Sequence, residues 1–175
     1  DYRLFVDAGA RQPNGRVTPY DVATPLFSDY AAKHRYVFTP QGQAAEWRDQ
    51  GPFAFPLGTV LVKTFAYPAD LRRPDIDERF LETRLLIRKA DGWTAQTYLW
   101  NADQTEATLK RVGARLDVSF VGEDGAPTTF EYAVPNQNQC KECHSADGVI
   151  QPIGPKARNL NHDFDYREGP QNQLT

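Results

Sequence analysis

Several residue types are missing from this chain or nearly so. Methionine is absent altogether, cysteine occurs twice and histidine three times among 175 residues. A chain of this length can bury a hydrophobic core without needing many disulfide bonds. No apolar run approaches the length of a membrane span, so no membrane-crossing segment is expected. The formal net charge of -3 leaves no basic stripe, and no nucleic-acid partner is expected either.

Both cysteines belong to one short motif, Cys140-Lys141-Glu142-Cys143-His144. This spacing is typical of c-type haem attachment. Two thiols three positions apart on one helical turn can each form a thioether with a haem vinyl group, and the turn carries the following imidazole under the iron. The motif therefore predicts one covalent haem c per chain, attached at Cys140 and Cys143, with His144 as the proximal iron ligand.

Three other interpretations compete with haem attachment. A disulfide between Cys140 and Cys143 would close a tiny loop and remove little entropy from the unfolded chain. A thioredoxin-like redox pair needs a strand before the motif and a helix after it, whereas residues 134–139 have the pattern of a strand end and a polar loop. A zinc site needs four ligands, and beyond the motif only His34 and His162 offer further imidazoles.

The missing methionine restricts how the opposite side of the iron is filled. A Met/His-ligated electron-transfer haem is excluded. His162 lies close behind the motif and is a candidate sixth ligand, although a histidine among Asn and Asp is also typical of a solvated loop. His34 is the other imidazole, in a run Lys33-His34-Arg35 that also fits a charged surface turn.

Lys63 is a further candidate for the haem pocket. If residues 59–67 form one strand, Lys63 shares a face with Leu61, Phe65 and Tyr67. Its amine would then enter the pocket as a ligand, a proton donor or a covalent partner of the porphyrin. The alternative is a lysine that blocks aggregation at a sheet edge or extends to water.

Charged residues elsewhere complete the candidate site. Glu82 and Arg84 share a face of the next strand with Phe80, which would bring acid and base groups into the same pocket; a simple ion pair is the alternative. Haem propionates are anions and need basic donors, for which Lys156 and Arg158 lie within reach of the motif. Ordinary surface charge explains this last pair equally well.

The sequence before the motif has a mainly β pattern. Two pairs of alternating runs flank the turn dipeptides Asp91-Gly92 and Asp124-Gly125 and predict hairpins. The predicted strands cover residues 80–89 with 93–100 and residues 115–121 with 128–134. Between the hairpins, Asp103 and Glu106 form a capping-box pattern that predicts a short helix with Leu109 and Val112 facing inward, ended by Gly113.

These patterns predict one haem domain over residues 1–175. An extended N-terminal segment over 1–30 wraps a β-core over 35–134, and residues 135–175 form the haem-attachment segment, rich in loops. The expected fold class is mainly β (α+β), an antiparallel sheet with one or two short helices. An all-α cytochrome c fold would require several helical patterns around the motif, and these are absent from the sequence.

Several longer stretches resemble a bacterial family of exported c-type haem proteins. They are residues 24–30, 56–65, 82–88, 134–144 and 155–161, so the resemblance covers nearly the whole chain. The family is largely uncharacterised, and some members are joined to sugar-dehydrogenase-like or other extracellular domains. The resemblance implies an exported haem protein, periplasmic or secreted, with its signal peptide removed, and the start at Asp1 is compatible with such processing.

A more distant resemblance is to the cytochrome P-460 and cytochrome c′-β group. It rests on the order of Pro-x-Gly-Thr-Val-x-Val-Lys over 56–63, then Asp91-Gly92-Trp93, then the terminal Cys-x-x-Cys-His. Members of that group are β-rich, often with an open distal face, and the P-460 members bond a lysine to the porphyrin. By this resemblance, Lys63 is the position that matches such a lysine, whereas the segment after His144 departs from the group.

Two functions from different classes are therefore expected. The first is an exported electron-transfer cytochrome that exchanges electrons with a partner oxidoreductase such as a dehydrogenase. The second is a five-coordinate haem that binds a small gas or peroxide, or oxidises a small substrate in a pocket lined by Phe65, Tyr67 and Trp93. The first is favoured because a covalently held haem suits repeated redox cycling.

Overall fold

The computed structural model describes residues 2–7, 12–146 and 148–175. These residues form fourteen strands and two one-turn helices. The strands are β1 (Phe5–Asp7), β2 (Gln12–Pro13), β3 (Val17–Tyr20), β4 (Ala32–Phe38), β5 (Val60–Tyr67), β6 (Arg79–Lys89), β7 (Gly92–Trp100), β8 (Ala107–Leu109), β9 (Ala114–Val121), β10 (Pro127–Val134), β11 (Ser145–Ala146), β12 (Val149–Ile150), β13 (Asp163–Tyr166) and β14 (Gly169–Asn172), and the helices are α1 (Cys140–Cys143) and α2 (Ala157–Leu160).

A six-stranded antiparallel sheet is the centre of the fold. Its strand order is β3-β4-β5-β6-β7-β8, so neighbours in the sheet are also neighbours in the chain. The β9–β10 hairpin forms a separate two-stranded sheet. The predicted mainly β, antiparallel fold with one or two short helices is confirmed.

The two predicted hairpins are both present. Strands β9 and β10 pair from Ala114↔Val134 to Val121↔Pro127, around the predicted turn. In the β6–β7 hairpin, Lys89 pairs with Gly92, so the turn is centred one residue earlier than predicted. Gly92 follows it with φ 130°, a backbone angle that a side chain disfavours.

A β-bulge in β6 changes which residues share a face. Glu82 pairs with Phe65, but Phe80 rather than Leu81 pairs with Ala66. The extra residue reverses the alternation, so Phe80 lies on the opposite face of the sheet from Glu82. The prediction that Phe80 shares a face with Glu82 and Arg84 is therefore wrong.

The short helix predicted between the hairpins is also absent. Residues 107–109 instead form β8, which pairs with the edge of β7. Val112, predicted to face inward, is 86 % exposed. Gln104 has φ 59°, and its side-chain amide bonds to both the N–H and the carbonyl of Phe80. A turn whose side chain completes the backbone hydrogen bonds of Phe80 in β6 therefore takes the place of the predicted first helical turn.

The central sheet is covered on both faces. One face packs against residues of the N-terminal segment, where Leu4 and Phe5 contact a cluster centred on Val62 and Leu85. On the other face, Phe65 and Tyr67 pack against Phe120 and other side chains of the β9–β10 hairpin. This second face, called the site face below, also carries the charged residues of β5 and β6.

Among the described residues of the C-terminal segment, each helix is a single turn. The segment holds α2 and the β13–β14 hairpin, joined by short turns. Within the described residues, neither helix has the length and apolar character that crossing a bilayer requires.

Candidate functional site

A capping box precedes the cysteine motif and sets its direction. Asn136 Oδ1 accepts a hydrogen bond of 3.0 Å from the N–H of Gln139, and Gln139 Oε1 accepts one of 2.9 Å from the N–H of Asn136. Such reciprocal bonds fix the entry of the chain into a helical turn. The turn α1 follows at once, and the His144 N–H closes it by donating to the Cys140 carbonyl at 3.0 Å.

His144 is held by Gln151 at two points. The N–H of Gln151 donates to the His144 carbonyl at 2.7 Å, and His144 Nδ1 lies 3.3 Å from the Gln151 carbonyl oxygen. A carbonyl can only accept, so Nδ1 carries the proton in this contact and Nε2 keeps its lone pair. Burial lowers the pKa of His144, which favours the neutral imidazole that a metal requires.

The two thiols of the motif are free and differ in exposure. Cys140 is buried and Cys143 is exposed. Burial raises the pKa of Cys140, with Glu82 adding to the increase and Arg84 opposing it. The Cys140 side chain therefore lies against the charged part of the site face, and Cys143 lies at the surface.

A row of polar side chains crosses the site face beneath the motif. Direct cross-strand pairing places Arg35 of β4 opposite Lys63 of β5, Lys63 opposite Arg84 of β6, and Arg84 opposite Thr97 of β7. Directly paired residues project from the same face with their Cβ atoms about 5 Å apart. We call Arg35, Lys63, Arg84 and Thr97 the cationic row.

Carboxylates neutralise two of the three cations in the row. Arg35 Nη1 donates to Asp21 Oδ1 at 2.6 Å. Arg84 donates to Glu82 through Nε at 2.9 Å and Nη2 at 2.5 Å. Lys63 has no carboxylate within ion-pair distance among the described residues, so its amine is the basic group of the row that lacks a counter-charge.

The environment of Lys63 disfavours its charged form. Burial, followed by the nearby positive charges of Arg35, Arg84 and Lys33, lowers the pKa of Lys63 to about 7. The ammonium and the Arg84 guanidinium both lie over the ring of Phe65, at 4.6 and 4.2 Å from its centroid. The expected placement of Lys63 beside Phe65 on one face is confirmed.

Glu82 is fully buried and has several donors. Besides the two bonds from Arg84, it accepts a bond of 2.5 Å from the Tyr132 hydroxyl. Burial and the negative charge of Glu82 raise the pKa of Tyr132, so its hydroxyl keeps the proton that it donates. Glu82 and Arg84 form the ion pair that was the alternative interpretation, and the same pair adjoins the cysteine motif.

An apolar cavity of about 370 Å³ continues the site face beyond the row. Val37 and Leu61 form part of its floor, and each lies two residues along its strand from Arg35 or Lys63. The loop between β4 and β5 covers it with aromatic rings, and the C-terminal segment closes one side. The covering residues include Trp47, Phe53, Phe55, Pro155 and Leu160.

The remaining predicted site residues lie elsewhere. His34 pairs with Thr64, on the sheet face opposite Lys63, and contacts Glu78 at 2.9 Å, so it cannot be the sixth ligand of an iron held by His144. His162 contacts the Gln173 amide at 3.1 Å. Lys156 is half-buried before α2 and Arg158 is exposed on it.

The aromatic residues predicted to line one pocket are separated. Tyr67 stacks on Phe120 within the hydrophobic core, with ring centroids 5.6 Å apart. Trp93 packs edge-on against Phe55 at 5.9 Å, at the far end of the site face. Of the three predicted lining residues, only Phe65 contacts the charged groups of the site.

The residues of the site fit a covalent haem better than a zinc ion. No group of three or more His, Cys, Asp or Glu side chains converges on a metal position within the described ranges. A c-type haem needs only the two thiols, one imidazole with Nε2 available, and an apolar seat, because the porphyrin supplies the other iron ligands. The motif provides the two thiols and the imidazole, whereas the apolar cavity is lined by none of these three residues.

Four contributors to the site were not identified from the sequence. They are Arg35, Thr97, Tyr132 and Gln151. Arg35 and Thr97 occupy inward positions of alternating strands, which is the signal that would have drawn attention to them. Gln151 acts through its backbone, for which the side-chain type carries no signal.

Comparison with known proteins identified no relative of this chain. No family model matches the chain, and no curated protein or solved structure matches it either.

Proposed function

We propose that this chain is an exported c-type cytochrome that carries one covalent haem and exchanges electrons with a partner oxidoreductase. The observation that carries the proposal is the turn at Cys140–Cys143, which presents two free thiols, followed by an imidazole whose Nδ1 is engaged by the Gln151 carbonyl. Engagement of Nδ1 leaves Nε2 as the metal-binding nitrogen. When bound, the haem would supply a one-electron Fe(III)/Fe(II) couple.

In this activity the protein would attach the haem, orient its iron ligand and shield it from water. Cys140, which is buried, and Cys143, which is exposed, would each bond the haem. The Gln151 contact fixes the plane of the His144 ring. Val149, 58 % exposed, and Ile153, 43 % exposed, lie just after the motif and offer an apolar surface where a redox partner can approach.

The test of haem attachment is direct. The chain is matured with a haem-ligating machinery and its intact mass and reduced pyridine spectrum are measured. We expect one haem mass added, lost when Cys140 and Cys143 are both replaced by serine. A chain that weighs only its amino acids, after maturation that succeeds on a known cytochrome c, would contradict the proposal.

A second candidate function is supported by the placement of the histidines. His34 lies on the opposite face of the sheet and His162 contacts Gln173, whereas the amine of Lys63 lies on the site face. This amine, or an added small molecule, could bind the iron of an attached haem. A five-coordinate haem that binds a small gas or peroxide is the alternative. Rapid CO binding by the reduced protein would favour it, and a low-spin spectrum that resists CO and becomes CO-sensitive in Lys63→Met would favour electron transfer.

A further inference from the structure

The apolar cavity beyond the cationic row is lined by aromatic rings and, among the described residues, by neutral side chains alone. Trp47, Phe53 and Phe55 of the loop between β4 and β5 cover it. Tyr20 of β3 and Tyr166 of β13 contribute two further rings. Because an ion buried there would lack a counter-charge, the volume of about 370 Å³ suits a small neutral molecule.

The rim and the floor of the cavity favour a planar aromatic occupant. Trp47 packs against Phe53 with ring centroids 5.6 Å apart. The Trp47 indole N–H donates to Asp49 Oδ1 at 2.9 Å, which orients the ring at the rim although 59 % of the residue is exposed. Val37 and Leu61, which pair directly across β4 and β5, form an apolar floor. An aromatic molecule on this floor can contact the surrounding rings edge-on or in offset stacks.

Tyr20 offers the cavity a hydrogen-bond donor that lacks an acceptor. The residue as a whole is half-buried, but its hydroxyl is enclosed deeply enough that burial raises the pKa of Tyr20 to about 12, so the proton is kept at neutral pH. Arg35, directly opposite on β4, donates to Asp21 and to the Lys33 carbonyl instead. No described residue accepts a hydrogen bond from the Tyr20 hydroxyl. A buried donor without an acceptor costs about 1–3 kcal/mol, which an occupant with an acceptor atom would remove.

The other polar groups of the lining also favour an occupant that accepts hydrogen bonds. Gln173 is already engaged, because its Oε1 accepts from the Asp21 N–H at 2.8 Å and its Nε2 donates to the Asp21 carbonyl at 3.2 Å. Burial raises the pKa of Tyr166, so its hydroxyl is a second protonated donor. A carbonyl oxygen, which only accepts, matches this set of groups.

We propose that this cavity binds a small neutral aromatic molecule that carries a carbonyl group, with the Tyr20 hydroxyl donating to the carbonyl oxygen. The two motif cysteines and His144 do not line the cavity, so the site is separate from the atoms that would bond a haem. A haem would also bring two carboxylates, for which the lining offers no cation. The proposal concerns a second ligand and does not rest on the proposed function.

The experiment uses the full chain in two states, the haem-loaded wild type and a haem-free Cys140→Ser/Cys143→Ser chain whose circular dichroism matches that of haem-free wild type. Two probes of similar shape are titrated by calorimetry: 1-indanone, an aromatic ketone, and indane, which lacks the carbonyl. In the haem-free chain, NMR of the Trp47 indole N–H locates the binding at the rim of the cavity. We expect both probes to bind saturably, and 1-indanone to bind about threefold to tenfold more tightly, because it gains one neutral hydrogen bond. The affinities should be the same in the two states.

Two variants of the haem-free chain test the donor and the space separately. Tyr20→Phe keeps the ring and removes the hydroxyl, so 1-indanone should bind only as tightly as indane, whose own affinity should not change. Val37→Trp fills the floor of the cavity and should weaken both probes at least tenfold. Tyr98→Phe is the matched control: the Tyr98 hydroxyl donates to Gln96 on the opposite face of the sheet, and its removal should leave both affinities unchanged.

Each outcome decides for or against the cavity site. Absence of saturable binding, equal affinity of the two probes, or a preference for 1-indanone that persists in Tyr20→Phe overturns the proposal. Unchanged binding in Val37→Trp with retained circular dichroism would place the probes elsewhere and overturn it as well. Binding that is lost in the haem-loaded chain would show that the haem itself fills the cavity, which also overturns a second site. Absence of added haem mass overturns the proposed function alone, since the haem-free chain still reports on the cavity.

Discussion

Replacing Lys63 by methionine should stabilise the haem-free chain and change how its stability depends on pH. Lys63 is a half-buried amine surrounded by Arg35, Arg84 and Lys33, with Glu82 as the opposing charge. Methionine preserves an unbranched side chain of similar length and removes the charge. No ion pair is broken, because Lys63 makes none with a described carboxylate.

The magnitude follows from the shift in pKa. The pKa of Lys63 is about 7 in the folded chain, against 10.5 for an unperturbed lysine. Between these values the unfolded chain binds a proton that the folded chain does not, so the free energy of unfolding rises with pH by up to about 1.4 kcal/mol per unit. The variant is therefore more stable than its parent by at most about 4 kcal/mol at pH 7, narrowing to about 2 kcal/mol at pH 9.

The assay is urea unfolding of the Cys140→Ser/Cys143→Ser chain, with and without Lys63→Met, at several pH values between 7 and 9.5. Buffers free of carboxylate and phosphate keep the row empty. This pH range avoids two other titrations. The lowered pKa of His144 reduces the free energy of unfolding below about pH 6.5, where the unfolded chain binds a proton that the folded chain does not. The raised pKa of buried tyrosines such as Tyr132 reduces it above about pH 10, where the unfolded chain releases a proton that the folded chain keeps. Parallel stability curves for the two chains would refute the reasoning.

Two further predictions concern the fold around the site. Glu82→Gln should lower the free energy of unfolding by about 3 kcal/mol, because it removes the fully buried carboxylate that pairs with the half-buried Arg84 guanidinium. Tyr132→Phe, which removes one donor from that carboxylate, should cost about 1–2 kcal/mol. Equal losses in urea unfolding would contradict the assigned roles. Gly113→Ala should destabilise the chain by more than Gly42→Ala: both glycines have positive φ, 76° and 74°, but an added Cβ would lie 2.6 Å from the Val134 carbonyl only at Gly113. Thermal unfolding compares the two variants, and a smaller loss at Gly113 would show that this approach is relaxed in solution.

The hairpins could be predicted because their signals are local. Alternation with period two and a turn dipeptide act over a few residues, and both pairs of strands formed where these signals were found. The helix predicted over 103–113 did not form, although its capping pattern was equally local. Asn101 Oδ1 accepts from the N–H groups of Thr105 and Glu106, and the open edge of β7 offers pairing to residues 107–109. A local turn around the Asn101 side chain and the pairing with β7 together outweighed a weak helical preference.

The candidate site was predictable in part, for a related reason. The motif at Cys140–Cys143 is contiguous, and the face of Lys63 follows from alternation within one strand. The neighbours of Lys63 on other strands cannot be predicted from alternation, because they depend on the register between strands that loops separate. The bulge opposite Phe65 shows how one inserted residue moves Phe80 to the other face, which alternation alone does not reveal.

Two parts of the chain contribute different groups to the site. The segment around the motif supplies the atoms that would bond a haem, and its geometry depends on short-range contacts such as that between His144 and Gln151. The sheet supplies a fixed electrostatic environment through side chains at paired positions on three strands. Because Lys63 and Arg84 sit at directly paired positions of two strands, an anion that bound there would meet donors already oriented, at little cost in ordering. Because the amine of Lys63 has no counter-charge, its protonation lowers the stability of the chain, and the urea assay of Lys63→Met measures this effect directly.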